Sequence, residues 1–176
     1  TRNIGAVANT NHVTWDFDAL GRLDAVSSPL GAFDYVYLAQ TERLDYVQYP
    51  NGQRTSYDYF PANGDHRLKQ IKHLAQWSNP ASVVSQHDYT YSPAGEIGTW
   101  ARTMGGGTSS YAFAYDRASQ VTAATFTQGV TVTPNAYSYD AASNRRSEQR
   151  GTLLNQWAVN NVNQLTSRSG GTNMRV

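Results

Sequence analysis

The sequence predicts an all-β protein in which consecutive antiparallel β-hairpins follow one another along the chain. Three observations lead to this prediction. A pair of residues two positions apart, with an aromatic residue first in every copy, recurs seven times. A turn-forming or polar segment follows each pair, and no stretch shows convincing helical periodicity. Because aromatic residues make up only 12% of the 176 residues, seven pairs in phase indicate a repeat rather than chance.

The first copy shows how one repeat forms a hairpin. Asp18 suits the first turn position, because its carboxylate can accept hydrogen bonds from the backbone N–H groups just ahead of it. Gly21 suits the last position, where φ must be positive. A three-residue loop then places Phe17 opposite Leu23 and Asp18 opposite Arg22. The strand pair should therefore carry an apolar contact and an ion pair.

Three positions define the repeat. The second residue of each pair, which we call the anchor, is Phe17, Tyr37, Tyr59, Tyr91, Tyr115, Tyr139 and, in degenerate form, Val159. The residue two before it, which we call the ladder residue, is Trp15, Tyr35, Tyr57, Tyr89, Phe113, Tyr137 and Trp157. An apolar residue follows the turn in six copies, as Leu23, Leu44, Leu68, Ile97, Val121 and Leu165, whereas Arg145 takes this position in the sixth copy.

The later turns fit the same conformation to different degrees. Residues 92–95 read Ser-Pro-Ala-Gly, which is a strong match to the turn. Asn163 replaces glycine at the last position, because Asn tolerates the left-handed region. Ser119 and Ser143 are poorer choices at that position. The third copy has a longer tip at 61–66, which is still rich in turn residues.

Three stretches depart from the plain repeat. Residues 68–77 come closest to a helical pattern, but they continue the return strand of the third hairpin, and we predict a strand there. Residues 77–84 and 103–110 are insertions, the second of which contains three successive glycines. Both insertions are predicted to be loops on one edge of the sheet.

The whole chain, 1–176, is predicted to be a single repeat array that was excised from a longer chain. Residues 3–7 align with 22–26, which predicts a half repeat over 1–8 before the seven hairpins of 12–168. Stability in such an array comes from stacking, because one hairpin alone is marginal in water.

Composition excludes several classes of function. A net charge of +1 with 15% charged residues gives no electrostatic case for nucleic acid or an anionic membrane surface. The absence of cysteine excludes disulfides and thiolate metal sites. His66, His73 and His87 lack a metal-ligand spacing. We therefore expect no cofactor, no metal, no nucleic acid partner and no membrane span, and the polar but uncharged balance is typical of secreted or cell-surface proteins.

Short aromatic motifs recur at 57–59 (Tyr-Asp-Tyr), 89–91 (Tyr-Thr-Tyr), 115–116 (Tyr-Asp), 139–140 (Tyr-Asp) and 17–23 (Phe-Asp-Ala-Leu-Gly-Arg-Leu). Through these motifs the chain resembles the YD repeats of Rhs proteins, wall-associated proteins, teneurins and insecticidal toxin complexes. The resemblance covers nearly the whole chain. It implies one long curved sheet of hairpins that spirals into a hollow shell, often around a C-terminal toxin. The capping and self-cleavage segment of an Rhs shell has no counterpart here, so neither self-cleavage nor toxin activity transfers to any residue.

Three hypotheses of function follow. The first is a structural shell segment of a large secreted or surface bacterial protein, whose partners are the remaining repeats and a C-terminal cargo domain. The second is a carbohydrate-binding or adhesive module in which the seven ladder residues stack on sugar rings. The third is a glycoside hydrolase that uses carboxylates such as Asp116, Asp140 and Glu148. Exposed sheet edges would also allow pairing between copies of the chain.

Overall fold

A computed structural model describes residues 12–170 and confirms the all-β prediction. These residues form fifteen strands and one short 3₁₀ turn at Ala62–Gly64, with no α-helix among them. The strands are β1 (Thr14–Phe17), β2 (Leu23–Ser28), β3 (Gly31–Tyr37), β4 (Leu44–Gln48), β5 (Arg54–Tyr59), β6 (Leu68–Leu74), β7 (Val83–Tyr91), β8 (Ile97–Met104), β9 (Gly107–Tyr115), β10 (Val121–Gln128), β11 (Thr131–Thr133), β12 (Asn135–Tyr139), β13 (Arg145–Arg150), β14 (Leu153–Val159) and β15 (Leu165–Ser169).

The chain forms two compact units, 1–86 and 87–176, and the boundary falls within β7. In the first unit, β1 to β6 pair in sequence order, each antiparallel to the next. In the second unit the order is β8, β9, β10, β12, β13, β14 and β15, and the short β11 pairs with β10. The half repeat over 1–8 lies outside the described residues, and the single array stays a prediction.

The register inside the hairpins is the predicted one. Phe17 pairs with Leu23 in the first copy, and Val159 pairs with Leu165 in the last. The second and third copies keep the same pairing across longer tips, because the extra residues are absorbed in the tips. In the second, third, fifth and sixth copies the anchor pairs with the residue after the turn. These pairs are Tyr37–Leu44, Tyr59–Leu68, Tyr115–Val121 and Tyr139–Arg145.

The turns adopt the conformation that their sequences predict. The last turn residue has a positive φ in each copy of the four-residue turn, whether or not it is glycine. The φ values are 78° at Gly21, 91° at Gly95, 57° at Ser119, 66° at Ser143 and 61° at Asn163. The two serines therefore occupy a backbone region that L-residues other than Asn and Asp rarely adopt.

The first insertion, 77–84, is turn and irregular chain up to residue 82, as predicted, whereas the second, 103–110, is mostly strand, so the loop prediction is wrong for the second insertion. In the second insertion only the tip at Gly105 and Gly106 leaves the ladder, and strands β8 and β9 extend to reach it. A hydrogen bond of 2.9 Å joins the Thr103 and Thr108 hydroxyls across the pair. Threonine favours strands because its β-branch fits the pleated surface, and the glycines alone are enough to make the turn. In the first insertion β7 already begins at Val83.

The two faces of the strands carry different residues. One face, which we call the aromatic face, holds the ladder residues and the buried apolar side chains of Val47 and Ala124, at 5% and 6% exposure. The opposite face is rich in small and hydroxyl-bearing residues, and a hydrogen bond of 2.6 Å joins Ser138 and Ser147 there. This alternation is expected where one face of a sheet packs and the other meets water.

The serines at positive φ provide a test of the turn geometry. Replacing Ser143 with glycine relieves the left-handed strain, and we expect a gain in the free energy of unfolding of about 0.5–1 kcal/mol. Ala142→Gly, in the same turn at a residue without a positive φ, should instead lower stability. Thermal and urea unfolding of both variants would measure this, and equal effects of the two glycines would contradict the assignment.

Candidate functional site

The ladder residues pack against the return strand of their own hairpin. In six copies the register places each one directly opposite a residue of that strand. The pairs are Trp15–Val26, Tyr35–Val47, Tyr57–Ile71, Phe113–Ala124, Tyr137–Glu148 and Trp157–Arg168. Six of the seven ladder residues are half-buried, and only Trp15 is largely exposed, at 59%. Burial raises the pKa of the Tyr57 and Tyr89 hydroxyls above the usual value.

The anchor tyrosines join each hairpin to the one before it. The hydroxyl of Tyr37 donates a hydrogen bond of 3.0 Å to the backbone carbonyl of Leu23 in the preceding copy. Tyr115 and Tyr139 repeat this contact at 2.9 Å, with the carbonyls of Ile97 and Val121. Each acceptor is the residue just after the preceding turn, so the bond links equivalent positions in successive repeats. The contact explains why these anchors are tyrosine rather than phenylalanine.

Arg22 forms a second link between hairpins. Its guanidinium binds the Asp18 carboxylate of its own turn, with 2.6 Å between Nη2 and Oδ2. It also donates to the backbone carbonyls of Ala39 and Thr41 in the next turn, and it lies 4.4 Å above the centre of the Tyr37 ring. Only 11% of the Arg22 side chain is exposed, so this partly desolvated cation holds two neighbouring turns together.

Arg145 has a related role in the sixth copy. It takes the place of the apolar residue after the turn, and it pairs with Tyr139 across the hairpin. Its guanidinium lies 4.5 Å above the ring centre of Trp157 in the next copy. Arg43 lies 5.4 Å above the Tyr59 ring in the same manner. The departure from the apolar pattern at Arg145 therefore replaces an apolar contact with a cation–π contact between hairpins.

Each turn carboxylate stabilises its own turn by accepting hydrogen bonds from it. One oxygen of Asp140 accepts hydrogen bonds from the backbone N–H groups of Ala142 and Asn144, at 3.0 and 2.9 Å. Asp18 and Asp116 bind their turns in the same way. The backbone hydrogen bond from Asn144 is the main cause that lowers the pKa of Asp140, and the bond from Arg22 lowers that of Asp18. These contacts fit a turn-capping role and leave catalysis at these positions an untested hypothesis.

Glu148 is a buried carboxylate with two cationic neighbours. Its side chain is 1% exposed and lies on the aromatic face, opposite Tyr137. One oxygen binds Arg150 Nε at 2.5 Å, and the other lies 3.8 Å from an Arg145 nitrogen. The bond to Glu148 raises the pKa of Arg150 above its already high value. The two arginine contacts fit a structural ion pair.

A row of stacked rings, not anticipated from the sequence, crosses the second unit. The Trp100 and Tyr111 ring centres are 5.8 Å apart with 13° between the ring planes, and Tyr111 continues to Phe113 at 5.9 Å and to Phe126 at 5.0 Å. On the other side, Trp100 stacks on His87 and donates its indole N–H to His87 Nδ1 at 3.1 Å. The alternation of aromatic residues at 111, 113 and 115 is the sequence signal for this row.

A groove of about 300 Å³ lies beside these rings. Three of its lining side chains are aromatic (Trp100, Tyr111 and Phe126) and three are polar (Arg102, Ser109 and Gln128). The register pairs Trp100 with Tyr111 and Arg102 with Ser109, so both sets lie on the aromatic face. The groove therefore places aromatic and hydrogen-bonding side chains next to one another on one surface.

Two of the histidines lie in polar contacts with neighbouring side chains. In the first unit, His73 Nδ1 lies 2.9 Å from the Thr55 hydroxyl, which in turn lies 3.1 Å from the Tyr49 hydroxyl. Over residues 12–170 the structure brings together no group of three or more histidine, aspartate or glutamate side chains that could hold a metal ion. The same residues contain no helix that is long and apolar enough to cross a membrane.

Comparison with known proteins finds similarity of fold. No protein-family model and no curated protein sequence matches the chain. The chain is similar to the crystal structure of TcdB2–TccC3–TEV, with a TM-score of 0.61 and 16% identity over 87% of this chain and 10% of that chain. It is also similar to the Photorhabdus luminescens Tc holotoxin pore, with a TM-score of 0.56 and 18% identity over 88% of this chain and 10% of that chain. This chain therefore spans about a tenth of each structure that it matches.

The contribution of the anchor hydroxyl can be tested by removing its single oxygen atom. Tyr139→Phe removes the bond to the Val121 carbonyl, and we expect the free energy of unfolding to fall by about 0.5–1.5 kcal/mol. Tyr137→Phe is the matched control on the same strand, because no hydrogen bond of the Tyr137 hydroxyl is found within residues 12–170. Urea unfolding would compare the two, and an equal loss in both would contradict a specific link between hairpins.

The turn carboxylates predict a dependence of stability on pH. Because the folded-state pKa of Asp140 lies below its unfolded value of 3.8, its contribution is present above that value and is lost as the pH falls through the folded-state pKa. Asp140→Asn should keep the turn, as Asn160 does naturally, while flattening the melting temperature below about pH 4. Asp140→Ala should lower the melting temperature at every pH. An unchanged acid slope in Asp140→Asn would contradict this account.

Proposed function

We propose that this chain is a structural segment of the shell of a large YD-repeat protein of the bacterial toxin type. The observation that carries the proposal is the set of contacts that lock successive hairpins together, namely the tyrosine hydroxyl bonds and the Arg22 contacts. These contacts use the residues by which the sequence resembles YD repeats. The fold similarity to the Tc holotoxin pore supports the same proposal.

In this proposal the segment has a structural role and no catalytic one. One carboxylate oxygen each of Asp18, Asp116 and Asp140 is occupied by backbone N–H groups. The Glu148 carboxylate is paired with arginines. Contacts at the turn edge attach each hairpin to its neighbour. We therefore expect the sheet to resist the detachment of single hairpins. The partners would be further repeats of the same kind and a polypeptide enclosed by them, in a protein that is secreted or exposed at the cell surface.

The proposal can be tested on the full-length protein that carries this array. We expect the enclosed polypeptide to resist a protease that readily digests it when the array is deleted. A triple variant with Tyr37, Tyr115 and Tyr139 changed to phenylalanine should expose that polypeptide faster, because three links between hairpins are lost. Limited proteolysis with detection of the C-terminal fragment would measure the rate.

The control variant replaces Tyr35, Tyr111 and Tyr137, whose hydroxyls make no hydrogen bond within residues 12–170, with phenylalanine. It should protect the enclosed polypeptide as well as the natural sequence does. A C-terminal fragment that is digested at the same rate with and without the array would show that the array encloses nothing, and the proposal would then be wrong.

A further inference from the structure

The groove beside the stacked rings has the chemistry of a ligand site that goes beyond the proposed shell. Its lining combines three ring systems with a guanidinium, a hydroxyl and a carboxamide. A few polar groups placed against an aromatic surface are the usual composition of sites for small polar ligands. The groove of about 300 Å³ is at the lower end of the volumes of such sites, which run from about 300 to 1,000 Å³.

Arg102 is the charged side chain of the groove. Its side chain is exposed at the middle of β8, and within the described residues 12–170 no carboxylate or carbonyl oxygen pairs with its guanidinium. By contrast, Arg22, Arg145 and Arg150 bind carboxylates or aromatic rings. An unpaired guanidinium next to aromatic rings favours a ligand with a carboxylate, which arginine binds through two parallel hydrogen bonds.

The backbone of β9, which lies beneath the groove, cannot pair with an added peptide strand. Strand β9 is hydrogen-bonded to β8 on one side and to β10 on the other, so its backbone groups are already used. A ligand must therefore be recognised by side chains alone. Peptides that add a strand depend on free backbone groups at a sheet edge, and this groove offers none on β9.

A sugar ring fits the remaining requirements. Its C–H groups carry partial positive charge and pack on the electron-rich faces of aromatic rings, while its hydroxyls exchange hydrogen bonds with carboxamide, hydroxyl and guanidinium groups. Gln128 and Ser109 lie across the strands from one another on the same surface as Arg102. A single cation, rather than a basic track, also suits one carboxylate better than a chain of phosphates.

We propose that the groove lined by Trp100, Arg102, Ser109, Tyr111, Phe126 and Gln128 binds an acidic sugar residue, with its carboxylate on Arg102 and its apolar face on the Trp100 and Tyr111 rings. The site differs from the seven-residue ladder that the sequence suggests for glycans, because only the strands around β9 contribute to it. The ligand class is a uronic acid within a polysaccharide. Binding here is independent of whether the array encloses another polypeptide.

The test uses the 176-residue chain and two trisaccharides that differ in charge. Calorimetric titration with tri-galacturonate should show binding, and neutral maltotriose should bind at least tenfold more weakly. Arg102→Gln should weaken tri-galacturonate binding by about tenfold, the loss expected of one charge-assisted pair. Arg117→Gln is the matched control, because Arg117 is exposed on a turn of the same unit and away from the groove, and it should leave binding unchanged.

The other outcomes overturn the proposal. No binding of tri-galacturonate, equal binding of maltotriose, or full binding by Arg102→Gln would each show that Arg102 does not select an acidic sugar. Binding should also weaken as salt is raised, because the pair is partly exposed. A failure of proteolytic protection in the full-length protein would not affect these results, so the two proposals can fail separately.

Discussion

The structure depends on how one hairpin is attached to the next. A hairpin is marginally stable alone, and the backbone ladder by itself does not prevent one strand from sliding against its neighbour. The bonds from Tyr37, Tyr115 and Tyr139 to carbonyls of the preceding copy, together with the Arg22 contacts, fix this relation at the turn edge. Each bond contributes only about 0.5–1.5 kcal/mol, but the contribution recurs with the repeat and adds along the array.

The division between the two faces follows from the same repeat. Because side chains alternate along a strand, the ladder residues, which lie two positions before the anchors, all fall on one face of their hairpins. The opposite face receives small and hydroxyl-bearing residues such as Ser138 and Ser147. The strands of each unit form a single layer, so the aromatic face is only half-buried in the chain itself. This partial exposure is what permits both the shell and the groove proposals.

The features that the sequence predicts correctly are those with local causes. The register of Phe17 with Leu23 and the positive φ at Ser143 follow from residues a few positions apart. The tyrosine bonds, the Arg22 contacts with the next turn and the Trp100–Tyr111 contact join different repeats, so no spacing within one repeat reveals them. The alternation of aromatic residues at 111, 113 and 115 indicates only the part of the ring row that lies in one hairpin. The glycines at 105 and 106 suggested a loop, whereas the threonines beside them extend the strands. The ladder as a glycan surface and the turn carboxylates as catalysts stay untested predictions.

The buried charge of Glu148 affects how the chain avoids mispaired strands during folding. Most hairpins of an array are similar enough to pair with the wrong neighbour during folding, and hydrophobic contacts alone discriminate poorly between them. The Glu148 carboxylate lies opposite Tyr137, at the position that Val26, Val47, Ile71 and Ala124 take in earlier copies, and its charge is paired with Arg150 and Arg145. Both arginines lie on β13 with Glu148, so the ion pairs form within one strand and stay with it whichever strand pairs alongside. The buried charge therefore distinguishes β13 from the return strands of the other copies, because a pairing that suits an apolar side chain at this position would have to bury a carboxylate instead.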